Sequence, residues 1–316
     1  QVVIDMPEGT TLEKTSVVAK EVSQYLRTVP EVVNYQNYVG ASSPITFNGL
    51  VRHYDMRGAS NTADIQVNLL NKSERSKQSH DVAKTIRPEI QKIAKKFGAN
   101  IKIVEVPPGP PVLSTIVAEV YGPDYDEQIR IADEVQKILI NTEDVVDVDW
   151  MVEAPQGEFK IIPDKEKSML NGIAPQQLVG NLNYLLGEYP VSTLYDEKSS
   201  QPVNMVMKLD NSEKSTIQDI TALKVKGAAG NMMPVSDVVK IERGTLEKSI
   251  YRKDQKRVVY VLADMAGELE SPAYAILGME EKLNKIKLPA GYKINELYMA
   301  QPKDESDYTV KWDGEW

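Results

Sequence analysis

For chemistry, this chain offers two histidines, no cysteine and 46 side-chain carboxylates among 316 residues. His80 adjoins Asp81 in a stretch whose apolar spacing predicts a helix, on the flank away from the stripe. A surface histidine is the simpler reading there than a general base. His53 falls in an irregular stretch with Arg52, Tyr54 and Arg57, and no acid–base partner stands at a defined spacing. "GAAG" at 227–230 lacks the following helix and lysine of a phosphate loop. Asp147 and Asp149 of "DVDW" share one face of a predicted strand; solvent exposure is the simple expectation, a metal pair the alternative. The eleven methionines raise a soft-metal reading. Met169 and Met279 fall in helical apolar stripes, however, and Met205 with Met207 on one strand face, which predicts packing. Without cysteine there are no disulfides, thiolate metal sites or cysteine nucleophile. The expectation is no catalytic residue, no cofactor and no metal site: a chain that acts by binding, moving or docking.

The elements that would position a binding site repeat. "QVVIDM" alternates as a strand, "PEGT" supplies a turn and cap, and Leu12, Ala19, Val22 and Leu26 mark one helical face. "VVNYQNYV" and "ADIQVNLL" are strands. A helix over 76–97 carries Val82, Ile86, Ile90, Ile93 and Phe97, stops at Gly98, and is expected to kink at Pro88. "NIKIVEV" closes the unit before the breaker "PPGPP" at 107–111. The order then recurs with "STIVAEVY", a helix carrying Ile129, Ala132, Val135 and Leu139, and "VVDVDWMV". After about ninety intervening residues come "RVVYVLAD", a helix over 274–287 and "YKINELY". Val32 and Val145 stand 113 apart, as do Gly9 and Gly122. The fold class expected is α+β: two β-α-β-β-α-β modules of the ferredoxin-like kind, the second opened by a small inserted α+β domain. The boundaries are 1–110, then 111–157 with 250–300, with the insertion at 158–249 and a tail at 301–316.

The segment 40–62 is long for a connection inside so small a module, which favours a functional role. It has Tyr38 at its edge, contains Phe47, Tyr54 and Met56, and has Gly40, Gly49 and Gly58 as pivots. The tail "DYTVKWDGEW" carries Trp312 and Trp316, expected outside both modules, where amphipathic aromatics suit a membrane–water boundary. A net charge of −9 argues against nucleic acid, which needs a basic footprint. No run approaches the roughly 20 apolar residues of a bilayer span. The opening "QVVIDMPEG", already strand-like and without an initiator Met, is expected of a segment from a longer protein.

Several stretches resemble the second large periplasmic loop of the resistance–nodulation–division (RND) efflux permeases, inner-membrane pumps of the acriflavine-resistance type. They are "MPEGTTLEKT" at 6–15, "DKEKSMLNGIAPQQLVGNL" at 164–182, "GNMMPVSDVVKIERG" at 230–244 and "LPAGY" at 288–292. In that family such a loop holds two porter subdomains, with a docking subdomain inserted in the second. The resemblance implies a proton-driven homotrimer that exports amphiphilic small molecules and docks to a periplasmic adaptor and an outer-membrane channel. Its proton-relay residues and membrane segments would lie outside this chain, and the tail would lead to a transmembrane helix. By position, the resemblance also implies a switch loop at 40–62 approached by Tyr35 and Tyr38. Val3, Val104 and Glu105, with Asp149 and Trp150 opposite, would line a cleft between the porter subdomains. "VGASSPITFNGL" is longer and less aromatic than that loop in well-known drug pumps. The heavy-metal branch uses cleft methionines where this chain has Val112 and "SNTAD", so monovalent metal export is disfavoured, with Met56 the one thioether nearby. The alternatives are a free-standing sensor or scaffold of tandem modules, and an acylphosphatase-like hydrolase, which would need a phosphate-cradling loop.

Overall fold

The computed structural model describes residues 1–105, 112–298 and 300–315, with the side chains of Phe47 and Asn48 outside the description. The predicted breaker at 107–111 and Trp316 lie outside the described residues. The chain divides into two compact units, Gln1–Ala154 with Lys248–Trp316, and Pro155–Glu247. The insertion expected at 158–249 is thus a unit of its own, displaced by a few residues.

The first module runs β1 (Val2–Asp5), α1 (Leu12–Leu26), β2 (Val32–Val39), α2 (Phe47–Val51), β3 (Thr62–Leu69), α3 (Ser79–Phe97) and β4 (Asn100–Ile103). Thr11 caps α1, and Gly98 ends α3 in the left-handed conformation at φ +64°, which glycine adopts without a Cβ clash. Helix α3 keeps its assignment straight through Pro88. The sheet order β2-β3-β1-β4 is that of the split β-α-β arrangement. Central β1 pairs antiparallel with β3 and β4, aligning Val2 with Ile65 and Ile103, and Ile4 with Ala63 and Ile101. These residues pack beneath Val18, Val22 and Leu26 of α1 and Ile86 and Ile90 of α3. Strand alternation sends Val3 and Asp5 to the opposite face, away from the helices.

The second module opens with β5 (Ile116–Tyr121), α4 (Tyr125–Ile140) and β6 (Val145–Trp150); β2 and β6 begin at Val32 and Val145, as the repeat predicts. The inserted unit follows: β7 (Gly157–Pro163), α5 (Lys165–Leu170), α6 (Pro175–Leu186), β8 (Tyr189–Leu194), β9 (Val203–Met207), α7 (Ile217–Ala222), β10 (Lys224–Lys226), β11 (Met232–Pro234) and β12 (Val239–Thr245). Its first and last strands, β7 and β12, pair antiparallel from Gly157↔Thr245 to Pro163↔Val239. Within it, Ile173, Leu178, Leu182, Val225, Val235 and Val238 form a small core. Gly172, at φ +66°, lets the chain pass Ala228, whose Cβ would lie 2.7 Å from an added side chain. The packing expected for three methionines is overturned here. Met169 is 74% exposed, and Met205 and Met207 sit on the β8–β9 hairpin, whose two strands are open on both faces.

The chain then completes the second module with β13 (Arg252–Lys253), β14 (Lys256–Arg257), β15 (Val259–Met265), α8 (Pro272–Leu283), β16 (Asn295–Tyr298) and β17 (Thr309–Gly314). The sheet has five strands in the order β16-β17-β5-β15-β6. The tail assignment is therefore corrected. Residues 309–314 form an interior strand, antiparallel to β5, in the place that β4 holds beside β1. The predicted last strand, "YKINELY", becomes the parallel edge strand β16. Trp312 lies fully buried with Ile116, Ala118, Ile131 and Val261 rather than at a boundary, and its indole N–H donates to Glu296 Oε2 at 3.3 Å. Truncating such a residue removes its transfer energy and leaves a cavity. Trp312→Ala is expected to cost about 3–5 kcal/mol, read as a lower urea midpoint; an unchanged midpoint would mean that β17 is not part of this core.

Candidate functional site

The two sheets turn their helix-free faces to strands that carry charge, and this decides what lies between the modules. On β1, β3 and β4, paired positions place Asp64, Val3 and Lys102 in one row, with Tyr38 of β2 at its end. Asp64 has no exposed side-chain surface, so its charge needs a partner. Arg57 supplies it, with Nε 3.1 Å from Asp64 Oδ1, Nη1 2.6 Å from Asp5 Oδ1, and Nη2 donating to the Ile4 carbonyl at 2.9 Å. Arg57 follows the 3₁₀ turn Tyr54–Met56, so this fork ties segment 40–58 to the sheet. Its guanidinium also lies 5.8 Å from the centre of the Tyr54 ring. Burial raises the pKa of the Tyr54 phenol, which keeps it neutral.

The same face is joined to the second module by further pairs. Lys102 Nζ lies 2.9 Å from Asp5 Oδ2 and also binds Asp149 on β6. Arg87 of α3 binds Asp147, whose other oxygen accepts the Ile103 N–H at 2.9 Å. Asp147 takes φ +52° where the β15–β6 register shifts, and its side chain is 1% exposed. Arg52 Nη1 reaches Asp264 Oδ2 of β15 at 3.2 Å. The other oxygen of Asp264 accepts Ser114 Oγ at 2.8 Å, and Thr115 N and Oγ1 at 2.9 Å each. Segment 40–58 is thus pinned by Arg57 to one module and by Arg52 to the other.

These pairings set the ionisation of the seam. Burial opposes the charge on Asp5, but Lys102 and Arg57 overcome it and hold the carboxyl below its ordinary value. Burial likewise opposes Asp264, and Arg52 with the Thr115 N–H lowers it. For Asp147 burial wins over Arg87, and its carboxyl is raised.

The residues expected to line a cleft are distributed differently. Val3 and Val104 are buried in the seam, Asp149 is paired with Lys102, and Trp150 packs on the second core. Glu105 is bonded to His80. Tyr35 faces the helices and packs on the first core, three residues and so one face away from Tyr38, whose hydroxyl donates to Gln36 Oε1 at 2.9 Å. Tyr54 is half-buried and Met56 is 77% exposed; the Phe47 side chain lies outside the described residues. Charged strand residues pair across this space. Asp147 is buried rather than solvent-facing, and Asp149, partly exposed, is ion-paired with Lys102. No group of three or more His, Asp or Glu among the described residues could hold a metal ion. An open groove of about 350 Å³ runs beside Asp144, Met265, Leu269 and Tyr274, and includes none of the expected residues. Sequence reading noted Arg52 and Arg57 only as neighbours of His53, and passed over Arg87, Lys102 and Asp264. The signal was present: a lone charge inside an apolar strand, as in "NIKI" and "YVLAD".

The model of the AcrB/AcrD/AcrF family matches residues 1–312, so both modules and the inserted unit fall within it. The chain belongs to this family. Among curated relatives, the swarming motility protein SwrC of Bacillus subtilis (strain 168) is 22% identical over 178 residues, covering 56% of this chain and 16% of SwrC. Two crystal forms of a heavy metal efflux pump superpose on this chain with TM-scores of 0.72 and 0.71, at 18% and 17% identity. They cover 99% and 100% of this chain, which spans 30% of theirs. At that identity they establish a shared fold. Among the described residues no helix is long and apolar enough to cross a membrane.

The seam makes two predictions. Both lowered carboxyls stabilise the fold fully above the ordinary carboxylate range, and that stabilisation is lost as pH falls through their folded values. Asp147 works in the opposite sense, since acid relieves its buried charge. The urea midpoint should therefore drop below about pH 4, with a smaller drop in Asp264→Asn; a flat midpoint from about pH 5 to 3 would contradict the pairing. Second, Arg87→Met leaves Asp147 buried and unpaired, an expected loss of about 3–5 kcal/mol. Adding Asp147→Asn, which tolerates the left-handed backbone, should recover most of it in the same measurement.

Proposed function

We propose that the chain is the periplasmic portion of the second half of an RND permease and contributes to the path of amphiphilic small molecules. The match to the AcrB/AcrD/AcrF family across residues 1–312 carries this reading, since it runs through both modules and the insertion in order. In this reading unit 1 is a pair of porter subdomains, joined by the ionic seam. The inserted unit docks to a periplasmic adaptor and an outer-membrane channel. The working assembly is a homotrimer, and protons are taken up by membrane-embedded residues elsewhere in the protein. The chain contributes binding and movement, with no covalent catalysis of its own. Tyr54 and Met56, on the segment held by Arg52 and Arg57, are the side chains proposed to meet the transported molecule.

Metal export is the second reading, favoured by one observation: Met56 presents an exposed thioether on that segment. The two readings part in cells with and without the intact gene. Increased sensitivity to detergents and amphiphilic dyes on deletion, restored by the gene, is the expected outcome. Sensitivity to copper or silver salts alone would favour the metal reading. Unchanged tolerance of both classes would remove efflux as the function.

A further inference from the structure

His80 stands in the first turn of α3 with both ring nitrogens occupied. Nδ1 lies 3.0 Å from Glu105 Oε1, just past β4 in its own module, and Nε2 lies 2.8 Å from Glu270 Oε1, between β15 and α8 in the other. The imidazole therefore spans the two modules. The other charged groups around it are few. Lys84, one helical turn along α3, lies 2.9 Å from Glu270 Oε1 and also reaches the Gly267 carbonyl. The Gly267 N–H donates to Glu270 at 3.2 Å. Asp81 and Asp144 act on Lys84 through space, and the Gln1 amino group acts on Glu105. The carboxylates occupy opposite ring nitrogens, so they cannot share one metal ion with the ring.

We propose that His80 is a pH-dependent strap between the two modules, closed when the imidazole is charged and half-released when it is neutral. An imidazolium has two N–H donors and can serve both carboxylates at once. A neutral ring has one donor and one lone pair, so one carboxylate then meets a lone pair instead of a proton. Elsewhere in the seam the named pairs join Asp to Arg or Lys, so His80 is the member whose ordinary range lies nearest neutrality.

The sign follows from the contacts. The bond to Glu270 is the largest influence on His80; with the bond to Glu105 it outweighs burial and raises the imidazole above its ordinary value. The Glu270 carboxyl, which burial alone would raise, is held at about 2 by Lys84, His80 and the Gly267 N–H, so it stays ionised throughout. The strap's stabilisation is therefore complete below the ordinary histidine range and lost as pH rises through the bridged value.

The test uses the full chain, with the Cε1–H resonances of both histidines followed by NMR and His53→Gln as the assignment. Amide exchange of residues 266–271, corrected for the intrinsic pH dependence, is read in parallel. His80 should titrate above free imidazole, and those amides should lose protection through the same midpoint. The fold-change is fixed by the difference between the bridged and free midpoints. Glu105→Gln and Glu270→Gln should each lower the His80 midpoint, and His80→Gln should make the protection independent of pH in that range. A His80 midpoint at or below that of free imidazole, or protection that is level across it, overturns the strap. Should a variant fail to fold, the wild-type titration and exchange decide alone.

Discussion

A charge on the inner face of a β-sheet must be paired before it can be covered, and the arrangement of unit 1 depends on this. Asp5, Asp64 and Lys102 occupy the helix-free face of the first sheet, and Asp149 and Asp264 that of the second. An apolar face would accept any apolar cover. This one accepts only a surface that brings cations and carboxylates to fixed points, because an unpaired buried charge costs several kcal/mol. Arg57 reaches both Asp5 and Asp64, so the position of segment 40–58 follows from the sheet beneath it. The position of the second module follows in turn from Lys102, Arg87 and Arg52.

The period-2 and helical patterns were sufficient to read the first module almost completely. Strand β2 was read at its full extent, and its counterpart began at Val145 as the 113-residue offset required. Gly98, expected to stop α3, adopts positive φ, as does Gly291 of "LPAGY". What sequence pattern could not supply was partnership across the chain. "DYTVKWDG" alternates as plainly as any strand here, but nothing local says that it pairs with β5. Paired residues stand 188 to 198 apart in the chain, from Thr309↔Tyr121 to Gly314↔Ile116, and a tryptophan near a chain end reads as easily for an interface as for a core. Antiparallel pairing with Glu119 and Val120 settles it, because Val310 and Trp312 then share the core face with Ala118 and Val120.

The same limit explains the candidate site. Tyr38, Tyr54 and Met56 were legible as an aromatic, glycine-punctuated stretch, and segment 40–58 does bridge two modules. The cleft residues were placed by position along strands alone, and strand position says nothing about what sits opposite. Asp147 shows the difference. Alternation predicts that it shares a face with Asp149, and both are indeed on the seam side, but that face is closed by Arg87 and Lys102 rather than wetted. For methionines the error ran the other way. Met205 and Met207 alternate as core residues would, yet the hairpin that carries them has no second layer to pack against.

A seam made of ion pairs differs from an apolar one in how it yields. Buried pairs add little net stability relative to well-packed apolar residues, because desolvation offsets most of the attraction, but they are intolerant of displacement by an ångström or two. Apolar contacts weaken smoothly as surfaces slide; paired charges hold one register until the partners exchange. Two modules joined in this way have few permitted arrangements. Movement between them then means swapping carboxylate partners: Lys102 already shares itself between Asp5 of its own module and Asp149 of the other. Lys102 can keep Asp5 while it releases Asp149, so the cation itself stays paired during the exchange. That property suits the proposed role, in which the modules change position repeatedly, and it resides in residues that a search for catalytic or apolar binding groups passes over.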